Sequence, residues 1–131
     1  MAVRFLSQEW ADAVTHAINS SEEFSAAAAR HQAKVQQVVT GTPDGEKRYF
    51  FDLREGSARV GLGAIDEPDA TVSQTYETAV AISKRELHPQ QAFMQGKLSI
   101  HGNLMKLLQL TSVLSALAHA VSSLDVDYGT T

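Results

Sequence analysis

Five histidines, His16, His31, His88, His101 and His119, are the first candidates for metal binding or acid–base work in this chain. A helical zinc site needs two of them three or four residues apart, with a further ligand to complete the shell. No pair has that spacing, so no metal is expected. Gly61-Leu62-Gly63 opens like a dinucleotide fingerprint, but the third glycine and the following helix of a βαβ unit are missing. It reads as a glycine pair in a strand that leaves room for a neighbour. Asp66, Glu67 and Asp69 surround Pro68 and suit a solvated turn better than a paired acid and base. A serine nucleophile would need a Gly-x-Ser-x-Gly elbow, which is absent. The chain has no cysteine, which excludes disulfides, thiolate catalysis and cysteine-bound zinc. The expectation is a protein that is not an enzyme and needs no cofactor.

The composition narrows the partners. The 131 residues carry 15 Asp+Glu against 11 Lys+Arg, a net charge of −4. Such a surface repels phosphate backbones, so nucleic acid is not an expected partner. It also gives no polybasic pull toward anionic membranes. No run approaches the roughly 18 apolar residues of a membrane span. The N-terminus lacks the apolar core of a signal peptide, and Gly129-Thr130-Thr131 is not a peroxisomal address. The expected location is cytoplasmic. A chain of this length suggests one domain over 1–131, with its core at about 7–124 and a tail at 125–131.

The elements that would position any site follow from periodicity. Ser7 can cap a first helix with Trp10, Ala13, Val14, Ala17 and Ile18 on one face. Ser20 and Glu23 have the spacing of a capping box, opening a second helix through Phe24. The period then changes to two. Strands are expected at 34–40, 47–55, 58–64 and 70–75, separated by turns at 41–45, 55–57 and 67–69. Turns this close argue for an antiparallel meander. A helix from Tyr76 to Leu87-His88, a short one over Gln90 to Gln95, a fifth strand over 97–101 and a long helix over 104–124 complete the order ααββββααβα. Helices gathered on a mostly antiparallel sheet make an α+β domain.

The last helix is apolar over too much of its circumference. A surface helix needs an apolar stripe of about 100°. Leu104, Met105, Leu107, Leu108 and Leu110 exceed that, interrupted only by Lys106 and Gln109. Two explanations stand. The helix is buried on both sides in the core, or one side packs on the sheet while the other lines a cavity or a subunit contact.

The run Pro89-Gln90-Gln91-Ala92-Phe93-Met94-Gln95-Gly96-Lys97-Leu98-Ser99-Ile100-His101-Gly102-Asn103 resembles the signature of the sterol carrier protein 2 family: a proline, a short helix ending in Gln-Gly-Lys, an alternating strand, then Gly-Asn and a leucine-rich helix. The rest of residues 10–124 is compatible, with His88 standing where many members carry Asn. The resemblance implies a five-stranded sheet covered by helices, with an internal hydrophobic tunnel for sterols, fatty acids, acyl-CoA thioesters or similar lipids, in a bacterial-type single-domain member. Carried over by position, Phe93, Met94 and Gln95 would sit at the tunnel, Gln95 as the polar contact to a ligand head. Leu98 and Ile100 would face inward from the strand, and Leu104, Met105, Leu107 and Leu108 would form the wall. Strand alternation adds Phe51, Leu53, Val60, Leu62 and Val72 to the lining. The expected partner is a lipid or other hydrophobic small molecule, and the protein is expected as a monomer or weak homodimer. The alternative is a non-catalytic accessory or oligomerisation module that docks partners through its apolar C-terminal helix.

Overall fold

The computed structural model describes residues 2–128. It opens with a two-residue strand, β1 (Val3–Arg4), followed by α1 (Gln8–Asn19) and α2 (Glu22–Ala28). The Ser7 hydroxyl caps α1 by accepting from the Trp10 amide at 3.1 Å. Trp10, Val14 and Ile18 recur every four residues and are all buried, so α1 presents one apolar stripe to the core. The second helix starts one residue later than the capping-box spacing implies. Ser21, not Ser20, accepts from the Phe24 amide. Ser20 is instead taken up as the C-terminal cap of α1.

Strands β2 (Gln32–Thr42), β3 (Gly45–Arg54) and β4 (Ser57–Leu62) form the expected antiparallel meander. The next strand, β5 (Ala70–Thr75), departs from it. It pairs with β2, parallel, and β6 (Ser99–Gly102) pairs antiparallel with β5. The five-stranded sheet has the order β4-β3-β2-β5-β6 and is mixed rather than antiparallel. The physical reason lies in the seven residues 63–69, which cross from one side of the sheet to the other instead of turning back. The Gln36 side chain holds this crossing. Its amide nitrogen donates to the Gly63 and Tyr49 carbonyls, and its oxygen accepts from the Ile65 amide at 2.8 Å.

Both edges of this sheet differ in how they are finished. Along β4, Thr15 of α1 bonds both the amide and the carbonyl of Val60, and Asn19 does the same for Ala58, at 2.9–3.2 Å. Side chains of α1 therefore replace a neighbouring strand and close this edge. No comparable row of bonds closes β6 among the described residues.

After β5 come α3 (Tyr76–Ser83), shorter than expected, and α4 (Pro89–Met94). The expected single helix over 104–124 is two, α5 (Leu104–Gln109) and α6 (Thr111–Ala120). The break falls at Leu110, whose side chain turns into the core, while the Thr111 hydroxyl donates to the Leu108 carbonyl. The segment expected as a tail contributes β7 (Val126–Asp127), which pairs parallel with β1. Residues 129–131 of that tail lie outside the described residues.

The core sits on the face of the sheet that carries Ala33, Val35, Phe51, Leu53, Val60 and Val72. Trp10, Ile18 and Phe24 from the first two helices, and Leu110, Val113 and Ala116 from the last, pack against it. On the other face the Phe50 ring lies directly over Gly61, where any side chain would collide with it. The strand glycine thus leaves room for a neighbour, as its place in the sequence suggests.

Candidate functional site

Register arranges the inner face of the sheet in rows that cross the strands. One row runs Val60, Phe51, Val35 and Ala70, all buried. The next runs Leu62, Tyr49, Gln37, Val72 and Ile100, one residue from each of the five strands. Paired residues put their Cβ atoms roughly 5 Å apart on the same face. Of this row only Val72 is buried; the other four are half-buried.

Polar groups stand in the middle of this row. Gln74, on the same face of β5, donates its amide to the Gln37 side-chain oxygen at 2.9 Å. Beside Gln37, the Tyr49 ring meets the Trp10 ring edge-on, with centroids 5.2 Å apart. The Tyr49 hydroxyl bonds no described residue, and burial alone pushes its pKa up to about 12. A phenol and a pair of amides on an apolar face are suited to holding the polar end of an otherwise apolar molecule. Sequence alternation puts Tyr49 on one face with Phe51 and Leu53, but gives no role to it, to Gln37 or to Gln74. Alternation could have found all three, since 37, 49 and 74 share the parity of their apolar neighbours.

The segment around β6 is built as its residues require. His88 caps α4, its Nδ1 accepting from the Gln90 amide at 3.2 Å, and Pro89 occupies the first helical turn. Gly96, with φ +77°, ends α4 in the left-handed region. Gly102 has φ +107° and passes so close to β5 that a Cβ would lie 2.6 Å from the Asp69 carbonyl oxygen and 2.9 Å from the Ala70 Cα. Asn103 then caps α5 by accepting from the Lys106 amide at 3.0 Å. Asp69 fixes this corner. Its carboxylate accepts from the Lys34 amide at 2.8 Å and lies 3.4 Å from the Lys106 ammonium.

The fourteen candidate side chains fall into three environments. Phe51, Leu53, Val60 and Val72 are buried in the core. Leu62, Leu98, Ile100 and Leu107 are half-buried and pack against it. Phe93, Met94, Gln95, Leu104, Met105 and Leu108 are exposed, Met94 to 85% and Met105 to 65%. Gln95 follows α4, its backbone amide donating to the Gln91 carbonyl. Of α4 only Ala92 is buried, and of α5 no residue is.

The tunnel expected between sheet and helices coincides with neither of the two best-formed hollows among the described residues. These are a small pit beside Arg4 and Asp44, and an open cleft of about 480 Å³ bounded by Tyr76, Val80, Ala81 and Tyr128. Neither is lined by any of the fourteen. Side chains such as Leu53, Leu110 and Val113 fill the space between sheet and helices. Among the described residues there is no cluster of potential metal ligands, and no helix is long and apolar enough to cross a membrane.

Comparison with known proteins places this arrangement. The profile of the SCP-2 sterol transfer family matches residues 14–115. Human stomatin-like protein 1 is 40% identical over 73 residues, 55% of this chain but 18% of that protein. The chain thus spans less than a fifth of the length of curated relatives such as this one. Among solved structures, a crystal structure of sterol carrier protein 2 superposes with a TM-score of 0.78 at 21% identity, covering 92% of this chain and 99% of that one. The solution structure of a conserved hypothetical protein from Thermus thermophilus gives a TM-score of 0.81 at 20% identity, covering 96% and 93%.

Proposed function

The chain belongs to the SCP-2 sterol transfer family, and from that premise we propose that it binds a single lipid between the inner face of its sheet and the segment α4–β6–α5. The carrying observation is where the exposed apolar surface lies. All six exposed large hydrophobic side chains among the described residues, Phe93, Met94, Leu104, Met105, Leu108 and Leu114, belong to α4, α5 and α6. Of these, α4 and α5 bury almost nothing of their own and so have apolar surface to offer a ligand. Transfer of acyl carbons out of water supplies about 0.8 kcal/mol for each methylene buried.

On this reading the lipid enters by displacing α4 and α5, whose side chains are mostly exposed, from beside the row Leu62, Tyr49, Val72 and Ile100. Few buried contacts hold them, so the cost of that movement is low. Gly96 and Gly102 stand at the ends of the segment that joins the two helices. Within the site, the Tyr49 hydroxyl and the Gln37–Gln74 amides orient the polar end of the lipid, with Gln95 as a further amide at the mouth. The reading has no covalent step. Sterols, fatty acids and acyl-CoA thioesters are the ligand classes it covers, and carriage of such lipids between membranes is the role it suggests.

Titration of delipidated protein with a fluorescent fatty acid tests this. Saturable one-to-one binding is expected. Tyr49→Phe should weaken it about fivefold, the worth of one modest hydrogen bond. Absence of binding to a fatty acid, a sterol and an acyl-CoA alike would overturn the reading. Docking of a protein partner through the same helices is the second reading. It starts from the same exposed apolar side chains of α4 and α5. A ligand-free, salt-resistant oligomer would support it.

A further inference from the structure

We infer that β6 pairs antiparallel with β6 of a second copy of this chain, about a two-fold axis at His101, joining two five-stranded sheets into one. Residues along a strand send their backbone bonds alternately to its two sides. The Asn103 amide donates to the Asp69 carbonyl at 2.8 Å, which fixes the sense of that alternation in β6. The peptide it belongs to is trans, so the Gly102 carbonyl points away from β5. Ser99 with Ser73 and His101 with Thr71 are then the pairs that exchange bonds within the sheet. Ile100 and Gly102 turn their amides and carbonyls outward. No described residue bonds these groups. Ser99, His101 and Gly102 are exposed, so this edge stands open to water.

A donor and an acceptor on every second residue fit an extended chain, and this strand is its own complement. With Ile100 opposite Gly102 of an antiparallel copy, all the outward groups are satisfied on both chains. His101 then faces its own equivalent in a non-hydrogen-bonded pair, with Cα atoms about 4.5 Å apart. Ser99 comes opposite Asn103, and Leu98 approaches Leu104, so polar meets polar on one face and apolar meets apolar on the other. Lys97 lies beyond the paired residues and Lys106 is held by Asp69 at 3.4 Å, so no lysines are opposed.

The other end of the sheet limits the assembly. Thr15 and Asn19 already close β4, so pairing through β6 stops at two copies and does not grow into a fibre. A strand of four residues buries less than the roughly 1,200–2,000 Å² of a standard interface, even with exposed Leu104 and Met105 beside it. The dimer is accordingly weak, with half of the chains paired near about 100 µM and single chains prevailing at low micromolar concentration.

Sedimentation velocity from about 1 to about 500 µM tests the inference. The parent should pass reversibly from monomer to dimer. His101→Asp sets two carboxylates against each other at the axis and should weaken pairing about fivefold. Position 101 is exposed, so the unfolding temperature should not change. The chain has no cysteine, so His101→Cys supplies a single thiol at the axis, where the Cα separation suits a disulfide. Mild oxidation should crosslink it about tenfold faster than Ser99→Cys, whose equivalents stand about 13 Å apart along the paired strands. Equal crosslinking of the two cysteine variants would overturn the inference, as would pairing of His101→Asp equal to that of the parent. So would a parent that stays monomeric throughout, which would leave the edge to an extended peptide of another protein. The pairing uses the outward backbone of β6 and leaves the inner row of the sheet free. Parent and His101→Asp should therefore bind fatty acid alike, one per chain. Binding without pairing defeats only this inference, and pairing without binding defeats only the proposed function.

Discussion

Replacing Gly102 by alanine should cost about 3 kcal/mol of stability, and the structure divides that cost into two parts. The first is conformational: φ of +107° is unfavourable for any residue with a Cβ, by about 1–2 kcal/mol. The second is steric. The new methyl would stand 2.6 Å from the Asp69 oxygen and 2.9 Å from the Ala70 Cα. Those atoms are backbone at and just before the start of β5 and cannot swing aside as a side-chain tip would, so overpacking adds about 1–3 kcal/mol. Gly96→Ala isolates the first part, because Gly96 also has positive φ (+77°) but nothing lies within 4 Å of its would-be Cβ. It should cost about 1 kcal/mol. Urea unfolding of the two variants, followed by circular dichroism, gives both numbers. Gly102→Ala should also weaken fatty-acid binding more than Gly96→Ala, since relief of the clash displaces β6 and the Asn103 cap of α5 together. Equal costs for the two variants would refute the claim that close approach, and not backbone conformation alone, reserves position 102 for glycine.

Other outcomes follow from single side chains. Gln36→Ala should destabilise by about 2–4 kcal/mol, because it leaves the Ile65 amide and the Gly63 carbonyl without their partner; faster amide exchange at 63–65 should accompany the loss. Ser21→Ala should cost about 1 kcal/mol and Ser20→Ala much less, measured by thermal unfolding, because Ser21 makes the cap. Tyr49 gives a pH dependence. Its folded-state pKa of about 12 lies above its ordinary value of 10.0, so below pH 10 the stabilisation is intact. Between pH 10 and 12 the unfolded chain releases the proton while the folded one keeps it, and stability should fall by about 2–3 kcal/mol. Tyr49→Phe should flatten that part of the urea-unfolding profile.

Much of the fold was legible because its determinants are local. Tyr49, Phe51 and Leu53 alternate and do share a face, and the His88-Pro89 start and Gly96 stop of α4 are single-turn features. What escaped depends on partners distant in sequence. The parallel placement of β5 rests on Gln36 bonding residues 27 and 29 positions later. Nothing in the pattern of 63–69 distinguishes a crossing from a hairpin. The helix break at Leu110 was hidden because α5 and α6 are both apolar, and only tertiary packing decides that Leu110 and Val113 turn inward while Leu108 and Leu114 stay out. Strand β7 was missed since Val126 has meaning only beside Val3. Of the candidate site, apolar alternation singled out Leu62 and Val72 and the family resemblance Ile100, and register brings the three into one row. Gln37 and Tyr49 complete that row, and their polarity kept them from being counted as lining.

Native mass spectrometry of delipidated protein reloaded with oleate tests the central claim most directly. A single protein chain carrying one oleate, with slowed amide exchange confined to 93–108 and the inner row of the sheet, is the predicted result. A chain that takes up no oleate, or one whose protection appears only around the Tyr76–Tyr128 cleft, would contradict it.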